Sequence, residues 1–206
     1  MNEESTVYIV DDEQIARDSV KTLVRSLDLK AEAFASAEEF LDHYDPIRAG
    51  CLVTDLQMMG MSGMELQENL AAKGIAIPVI IITAYAKTPL TVKAVKKGAV
   101  TVLEKPCSDD ELSDAIRAAI SLDARTRVEA VQQQSFSDRL GSLSQQEQAV
   151  LEYMIEGAAN KVTARRLGVS IRTVENRRQR IFEKTGTKSL AELIRVVIES
   201  RSNTAR

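Results

Sequence analysis

Short apolar runs alternate with longer amphipathic stretches up to about residue 107 of the chain. This alternation is typical of a parallel β-sheet whose strands are joined by crossover helices. Five runs are predicted to be strands, at residues 6–10, 30–34, 51–54, 79–83 and 100–103. The pattern therefore predicts an α/β domain built on a doubly wound five-stranded parallel sheet.

The remainder of the chain carries helical patterns and no strand signal. Apolar positions repeat at helical spacing over residues 145–156, 161–167, 171–184 and 190–200, with breaks at Gly157, Gly168 and Gly186. An earlier helix is predicted to begin after Ser108, and weak helical character continues from there to a run of three glutamines. We therefore predict a first domain at residues 1–122, a helical linker at 123–139 and a smaller all-α helix-turn-helix domain at 140–206.

The composition is that of a globular protein, with 44% apolar and 28% charged residues. The longest apolar run, at residues 75–86, is too short to span a bilayer, and the acidic amino terminus does not resemble a signal peptide. We therefore expect a cytoplasmic protein with no membrane partner. Cys51 and Cys107 lack the spacing of a zinc site and are predicted to pack, and the single histidine, His43, is predicted to lie on a helix surface.

The net charge of -3 hides two regions of opposite sign. Residues 143–206 contain 12 lysines and arginines against 7 acidic residues, which leaves 15 against 23 for residues 1–142. A basic domain beside an acidic one is what nucleic-acid binding through one part of a protein produces, although the charge signal is weak when taken alone.

Acidic and polar side chains follow the predicted strands at their carboxyl ends. Asp11 and Asp12 follow the first strand, Asp55 follows the third, Thr83 ends the fourth and Lys105 follows the fifth. Open parallel sheets bind ligands beyond these ends, so we expect the five residues to converge. Neighbouring carboxylates repel one another unless a cation lies among them, and Mg²⁺ suits oxygen ligands while leaving room for a phosphoryl group. The alternative, that each aspartate only caps a helix or turn, suits a single residue better than the whole set.

The segments VDDE, DLQMMGMSG, IIITA and EKP resemble the CheY-like receiver domain in order and spacing, over about residues 5–120. The resemblance implies that a sensor histidine kinase donates a phosphoryl group from a phosphohistidine. It also implies a set of functional residues: the phosphoryl acceptor Asp55, the Mg²⁺ ligands Asp11, Asp12, Asp55 and the Gln57 carbonyl, and the switch hydroxyl and lysine, Thr83 and Lys105. No enzymatic activity is expected beyond phosphoryl acceptance and slow self-dephosphorylation, tuned by Gln57 and Tyr85.

Three positions depart from the receiver pattern. Val102 stands where receivers usually carry a Phe or Tyr that moves with the switch hydroxyl, which breaks the usual aromatic coupling. Tyr85, close to Thr83 in sequence, is either a substitute for that aromatic residue or an ordinary partly buried tyrosine. Met59 and Cys107 replace a common Pro and a common Phe, and we expect them to change loop packing more than chemistry.

The segment NKVTARRLGVSIRTVENRRQRIFEKTG has the spacing of a helix-turn-helix whose second helix is rich in arginine. Val174, Ile181 and the stem of Arg177 are predicted to face the small core. The outward-facing residues are predicted to contact DNA: Arg178, Arg180 and Lys184 at phosphates, Asn176 and Gln179 at adenine, and Glu175 at cytosine. The alternative is a solvated basic helix face, and the spacing is what favours DNA.

The longer segment from LSQQEQAV to FEKTG also resembles the LuxR-type helix-turn-helix, as found with a receiver in FixJ-like regulators, over about residues 140–200. The resemblance implies that Thr173 and Lys161 touch the DNA backbone and that the helix at 190–200 pairs subunits. Arg177, counted among the DNA contacts, replaces a frequent His, and Val162-Thr163 replaces a commoner Ile-Ala pattern. These changes leave the half-site sequence open.

Taken together, the patterns favour a two-component response regulator in which phosphorylation of Asp55 promotes a homodimer that binds paired promoter sites in double-stranded DNA. RNA polymerase is a further candidate partner. A second hypothesis makes the receiver a constitutive dimerisation domain, because Val102 breaks the usual switch. A third, a Mg²⁺-dependent phosphohydrolase with Asp55 as nucleophile, is disfavoured because Gln57 is not a second acid and the strands lack insertions that would build a substrate pocket.

Overall fold

The computed structural model describes residues 5–84 and 94–204, and the chain divides into two compact units, Met1–Arg127 and Val128–Arg206. The described elements of the first unit are β1 (Thr6–Val10), α1 (Gln14–Ser26), β2 (Lys30–Phe34), α2 (Ala37–His43), β3 (Gly50–Asp55), α3 (Gly63–Ala72), β4 (Val79–Thr83) and β5 (Thr101–Glu104). They are followed by α4 (Asp109–Gly141), which belongs in part to each unit, and then by α5 (Gln145–Ile155), α6 (Asn160–Leu167), α7 (Ile171–Thr185) and α8 (Leu190–Thr204).

The five strands form one parallel sheet in the order β2-β1-β3-β4-β5. The chain passes from β1 to β2 on one side and then returns to β3 on the other, so the winding reverses between β1 and β3. That reversal places a crevice at the carboxyl ends of these two strands. Strand β3 extends one residue beyond its predicted end because Asp55 still pairs with Ile82 of β4. The predicted doubly wound sheet is confirmed.

Helices cover both faces of the sheet, because successive side chains of a strand point to opposite faces. Tyr8 of β1 lies in a buried cluster with Phe40 of α2 and Leu66 of α3. The next residue, Ile9, lies in a second cluster that includes Ile116 of α4. Burial on both faces explains why β1, β3 and β4 read as nearly continuous apolar runs and not as alternating patterns.

A buried carboxylate of α4 is bonded to the amino end of β3. Asp123, which is 2% exposed, accepts hydrogen bonds from the Gly50 backbone N–H at 2.9 Å and from Arg127 Nε at 2.8 Å. The Arg127 guanidinium also donates to the carbonyls of Pro46, Ile47 and Arg48. The predicted first domain stops at residue 122, and these contacts explain why the first unit includes Arg127.

Local capping signals define the helices of the second unit. The Ser144 hydroxyl accepts from the Glu147 N–H and the Glu147 carboxylate accepts from the Ser144 N–H, a capping box that begins α5. Ser170 begins α7 by accepting from the Thr173 N–H. Gly168 ends α6 with a φ of 66°, in the left-handed region that favours glycine, and so forms the short turn between α6 and α7.

Helices α5 to α8 enclose a core of their own, to which Phe136 of α4 contributes. Its buried members are Phe136, Leu143, Val150, Leu151, Met154, Ala164, Val174, Ile181, Leu193 and Val197. The prediction of an all-α second domain is confirmed, and Val174 and Ile181 face its core as predicted.

The remaining structural predictions concern single residues and membrane helices. Cys51 is buried and Cys107 partly buried, both as free thiols, and His43 is exposed at the end of α2. Among the helices of residues 5–84 and 94–204, none is both long and apolar enough to cross a membrane.

Candidate metal centre and nucleic-acid interface

Three carboxylates meet in the crevice where the sheet reverses its winding. Asp11 and Asp12 directly follow β1, and Asp55 is the last residue of the neighbouring strand β3. Each offers one oxygen, and these oxygens lie within 4.8 Å of one another. Asp11 is buried, whereas Asp12 and Asp55 are partly exposed, so the cluster is open to solvent on one side.

Backbone groups orient two of these carboxylates. Asp11 Oδ1 accepts from the Glu13 N–H, and Asp12 Oδ2 accepts from the Met59 N–H, both at 2.9 Å. Arg17 of α1 donates from Nη1 to the Asp11 carbonyl at 2.5 Å, which fixes the turn that carries both aspartates. The sequence interpretation did not include Arg17. Its position six residues after Asp11, on the first turns of α1, is the only signal that could have suggested it.

Lys105 supplies a positive charge to the pocket. Its Nζ lies 3.0 Å from Asp11 Oδ2 and 3.4 Å from Asp55 Oδ1. Its backbone N–H donates to the carbonyl of Thr83 at 2.8 Å, which aligns the ends of β4 and β5. Thr83 is 1% exposed. The structure therefore brings Asp11, Asp12, Asp55, Thr83 and Lys105 to one edge of the sheet, as the strand pattern predicts.

The pKa shifts show how this charge cluster is balanced. Burial raises the pKa of the Asp55 carboxyl above its ordinary value of 3.8, and the nearby Asp11 raises it further, although Lys105 acts in the opposite direction. For Lys105, burial acts to lower the pKa, but the hydrogen bond and charge of Asp11 and the charge of Asp55 outweigh it, so the pKa is raised. A single ammonium thus leaves the three carboxylates under-neutralised. An all-oxygen donor set of this kind fits a hard divalent cation.

Gly63 packs the start of α3 directly against the backbone of Asp55. A Cβ atom at this position would lie 2.2 Å from the Asp55 carbonyl oxygen, far inside van der Waals contact. The Gly63 N–H also donates to the Leu56 carbonyl at 3.2 Å. The position therefore requires a glycine because the backbone approaches too closely for any side chain.

Substituting Gly63→Ala is expected to destabilise the chain by about 1–3 kcal/mol, because the backbone around Asp55 must shift to admit the methyl group. Urea unfolding followed by circular dichroism measures the loss. Gly141→Ala is the matched control, since a Cβ there would meet nothing within 4 Å. Equal stability of Gly63→Ala and wild type would contradict so close an approach of the two backbones.

The positions that depart from the receiver pattern lie around this pocket. Met59 is 82% exposed beside Asp12, and Cys107 is partly buried in the first unit. Val102 is partly buried and packs against the core cluster on one face of the sheet. Gln57 is exposed in the loop after β3, and Tyr85 lies outside the described residues.

In the second unit, α6 and α7 form a helix-turn-helix through the tight turn at Gly168. Five of the predicted DNA contacts on α7 are exposed: Glu175, Asn176, Gln179, Arg180 and Lys184. Thr173 is partly buried and its hydroxyl lies 2.8 Å from that of Ser170, while Lys161 is exposed near the start of α6. The exposed face of α7 lies opposite Val174 and Ile181 and is available to a ligand.

The prediction that Arg178 faces outward needs correction, because Arg178 is partly buried. It lies four residues after Val174 and three before Ile181, and residues at those spacings share a helix face. The prediction counted Arg178 among the residues free to face outward. A long arginine stem can pack along apolar surface while its guanidinium reaches solvent.

Two other predicted DNA contacts are bonded to residues outside α7, and Gln179 donates from Nε2 to Glu183 Oε1 within α7 at 2.9 Å. Arg177 donates from Nη2 to Gln146 Oε1 at 2.6 Å. Lys184 Nζ lies 2.7 Å from Glu147 Oε2 and also donates to the Ser142 carbonyl at 3.2 Å. Glu147 is 4% exposed, and its hydrogen bonds with Lys184 and Ser144 lower its pKa from 4.5 to about 2. Lys184 therefore neutralises a buried carboxylate that also caps α5.

Replacing Lys184 with Met is expected to destabilise the second unit by about 1–3 kcal/mol, because a buried carboxylate is left without its charged donor. The pKa of Glu147 is depressed in the folded chain, so its contribution to stability is present above pH 4.5 and is lost as the pH falls towards 2. The difference between Lys184→Met and wild type should therefore shrink over that range.

Urea unfolding at a series of pH values measures this effect, with the exposed Lys188→Met as the control. If the difference in unfolding free energy between Lys184→Met and wild type stayed constant from neutral pH to pH 2, the Lys184–Glu147 pair would not be its cause.

Comparison with known proteins assigns both units. A model of the response regulator receiver domain matches residues 7–117, and a model of bacterial regulatory proteins of the luxR family matches residues 141–197. The chain is a LuxR-type response regulator. It belongs to the transcriptional regulators of two-component systems, and the predicted family is confirmed.

Full-length relatives share both parts of this response regulator. The transcriptional regulatory protein TdiR of Thauera aromatica is 38% identical over 97% of this chain and 88% of its own length. The transcriptional regulatory protein FixJ of Azorhizobium caulinodans is also 38% identical, over 96% of this chain and 94% of its own length. The solved structure of the response regulator StyR has a TM-score of 0.80 at 40% identity, covering 95% of this chain and 99% of that chain.

Proposed function

We propose that Asp55 of this response regulator accepts a phosphoryl group from a phosphohistidine on a sensor histidine kinase, and that this event controls DNA binding by the second unit. The observation that carries the proposal is the position of the Asp55 carboxylate, at the open end of β3 between two further acids and one lysine. Asp11 has the same neighbours, but it is buried and its Oδ1 accepts from the Glu13 N–H, whereas Asp55 is partly exposed.

The transfer follows from the side chains around Asp55. One Asp55 oxygen attacks the phosphorus, a P–O bond forms, and the P–N bond to the histidine breaks with its electron pair left on the imidazole nitrogen. Lys105, 3.4 Å from Asp55, is placed to hold a phosphoryl oxygen, and the Thr83 hydroxyl is a hydrogen-bond donor for another. Lys105 and Thr83 then contact the phosphoryl group in the phosphorylated pocket, and these contacts do not exist in the resting pocket.

Mg²⁺ is the cofactor that suits this pocket, and it would be held by the carboxylates of Asp11, Asp12 and Asp55 and by the Gln57 carbonyl. Bound there, it would neutralise charge on the phosphoryl oxygens and on the acids. The donors of this chain support the assignment: the three carboxylate oxygens lie within 4.8 Å of one another, and the one nearby ammonium does not balance them.

The second unit is proposed to bind double-stranded promoter DNA through α7. Asn176 and Gln179 carry the donor and acceptor pair that matches adenine, and Glu175 can accept from cytosine. Lys161, Thr173 and Arg180 are proposed to contact phosphates. We propose weaker roles for Arg177, Arg178 and Lys184, because Arg177 and Lys184 are held by groups of their own domain and Arg178 is partly buried.

Phosphorylation is proposed to shift a pre-existing equilibrium towards a homodimer that binds two half-sites, with α8 pairing the subunits and RNA polymerase as a later partner. DNA titration of the full chain, with and without acetyl phosphate and Mg²⁺, tests this proposal together with size-exclusion chromatography. Tighter DNA binding and a larger species after phosphorylation are expected. If phosphorylation changed neither the DNA affinity nor the size of a species that is already dimeric, a constitutive dimer would be favoured. This is the result expected if Val102 uncouples the switch.

A further inference from the structure

The exposed side chains of α7 form a stripe along the helix. Arg172, Asn176, Gln179 and Glu183 follow one another at spacings of three or four residues, and all four are exposed. Val174 lies on the opposite, buried side. When α7 enters the groove of a DNA duplex, the stripe is the part of the helix that contacts the duplex first. The residues of the stripe therefore determine which bases can be recognised.

The cations of α7 differ in whether they are available to DNA. Arg177 and Lys184 are bonded to Gln146 and Glu147, and Arg178 is partly buried on the core side. Arg172 is exposed, and no hydrogen bond or ion pair of its side chain occurs within residues 5–84 and 94–204. Its guanidinium is therefore free to bind a ligand without breaking an existing contact.

Arg172 and Arg180, the two exposed arginines of α7, lie at different positions along the helix. Arg172 is the second residue of α7, two positions after the cap at Ser170, whereas Arg180 lies eight residues later. At about 1.5 Å per residue this separation is roughly 12 Å. In helix-turn-helix proteins the N-terminal residues of the second helix contact base edges. The acidic Glu183 at the far end of the stripe also disfavours insertion of that end between phosphates.

We propose that Arg172 reads a guanine in the major groove, through two parallel hydrogen bonds from its guanidinium to guanine O6 and N7. This inference rests on the proposed binding of DNA through α7, and it names a determinant of sequence preference beyond Glu175, Asn176 and Gln179. The planar fork of an arginine fits both acceptors of guanine at once, and neither adenine nor a pyrimidine presents the same pair.

Selection of binding sites from randomised duplex DNA tests the proposal, using the full chain as wild type, Arg172→Gln and Arg180→Gln. Wild type is expected to require a guanine at one position of each half-site. Arg172→Gln should lose that requirement, shift towards adenine there, and bind the wild-type site about tenfold to a hundredfold more weakly. Arg180→Gln should keep the guanine and weaken binding to all sequences alike, with the slope of log affinity against log salt reduced by about one.

A motif from Arg172→Gln that retains the same guanine as wild type would overturn the assignment, as would a uniform loss of affinity on every sequence. Wild type that binds duplex DNA with no sequence preference would instead reject the DNA-reading function proposed for α7 as a whole. The two failures are therefore distinguishable in one experiment.

Discussion

Asp55→Asn is expected to take up no phosphoryl group, and its affinity for DNA should not change when acetyl phosphate and Mg²⁺ are added. An amide has nearly the shape of the carboxylate, so the pocket is preserved, but it lacks the anionic oxygen that forms the acyl phosphate. Fluorescence anisotropy with a labelled duplex measures the affinity of wild type and variant before and after the phosphodonor.

The control for this variant is Asp42→Asn, which changes an exposed acid of α2 and should respond to the phosphodonor as wild type does. A response of Asp55→Asn equal to that of wild type would place the acceptor on another residue. Loss of the response in both variants would point to a general effect of charge on DNA binding.

Lys105→Met is expected to slow phosphoryl uptake by about a hundredfold to a thousandfold, because it removes a charged donor aimed at the position where phosphoryl charge collects. Methionine keeps most of the length of the lysine, so packing changes little. Mg²⁺ affinity should be unchanged or higher, since the ammonium that lies 3.0 Å from Asp11 no longer competes with the cation for the acids.

The rate is measured from the intact mass of the protein over time, and Mg²⁺ affinity by titration calorimetry. Lys97→Met removes a lysine that pairs with Glu68 outside the pocket and serves as the control. If Lys105→Met lost Mg²⁺ binding together with phosphoryl uptake, the substitution would have damaged the whole pocket. That result would contradict a role of the ammonium that is confined to phosphoryl transfer.

Local sequence signals predicted most of the fold. The central strands β1, β3 and β4 were identifiable because both of their faces are buried, so each is a mainly apolar run between polar segments. The acidic pocket followed from the same argument, since parallel strands bring their carboxyl ends to one edge. Ser108 and Gly168 marked helix ends through interactions that span only a few residues.

Contacts between distant parts of the chain could not be predicted in this way. The Gly50 N–H bonds to Asp123 across 73 positions, and Lys184 reaches Glu147 across 37. Such pairs depend on which helix packs beside which strand or helix, and the local sequence pattern does not contain this information. For the same reason the sequence did not show that Lys184 has a carboxylate partner or that Arg178 is partly buried.

The most direct test is the intact mass of the full chain after incubation with acetyl phosphate, once with Mg²⁺ and once with a chelator, followed by peptide mapping. We expect the mass to rise by one phosphoryl group only when Mg²⁺ is present, with the modification on Asp55. An unchanged mass with Mg²⁺, together with no labelling by a competent kinase, would contradict phosphorylation at the acidic pocket.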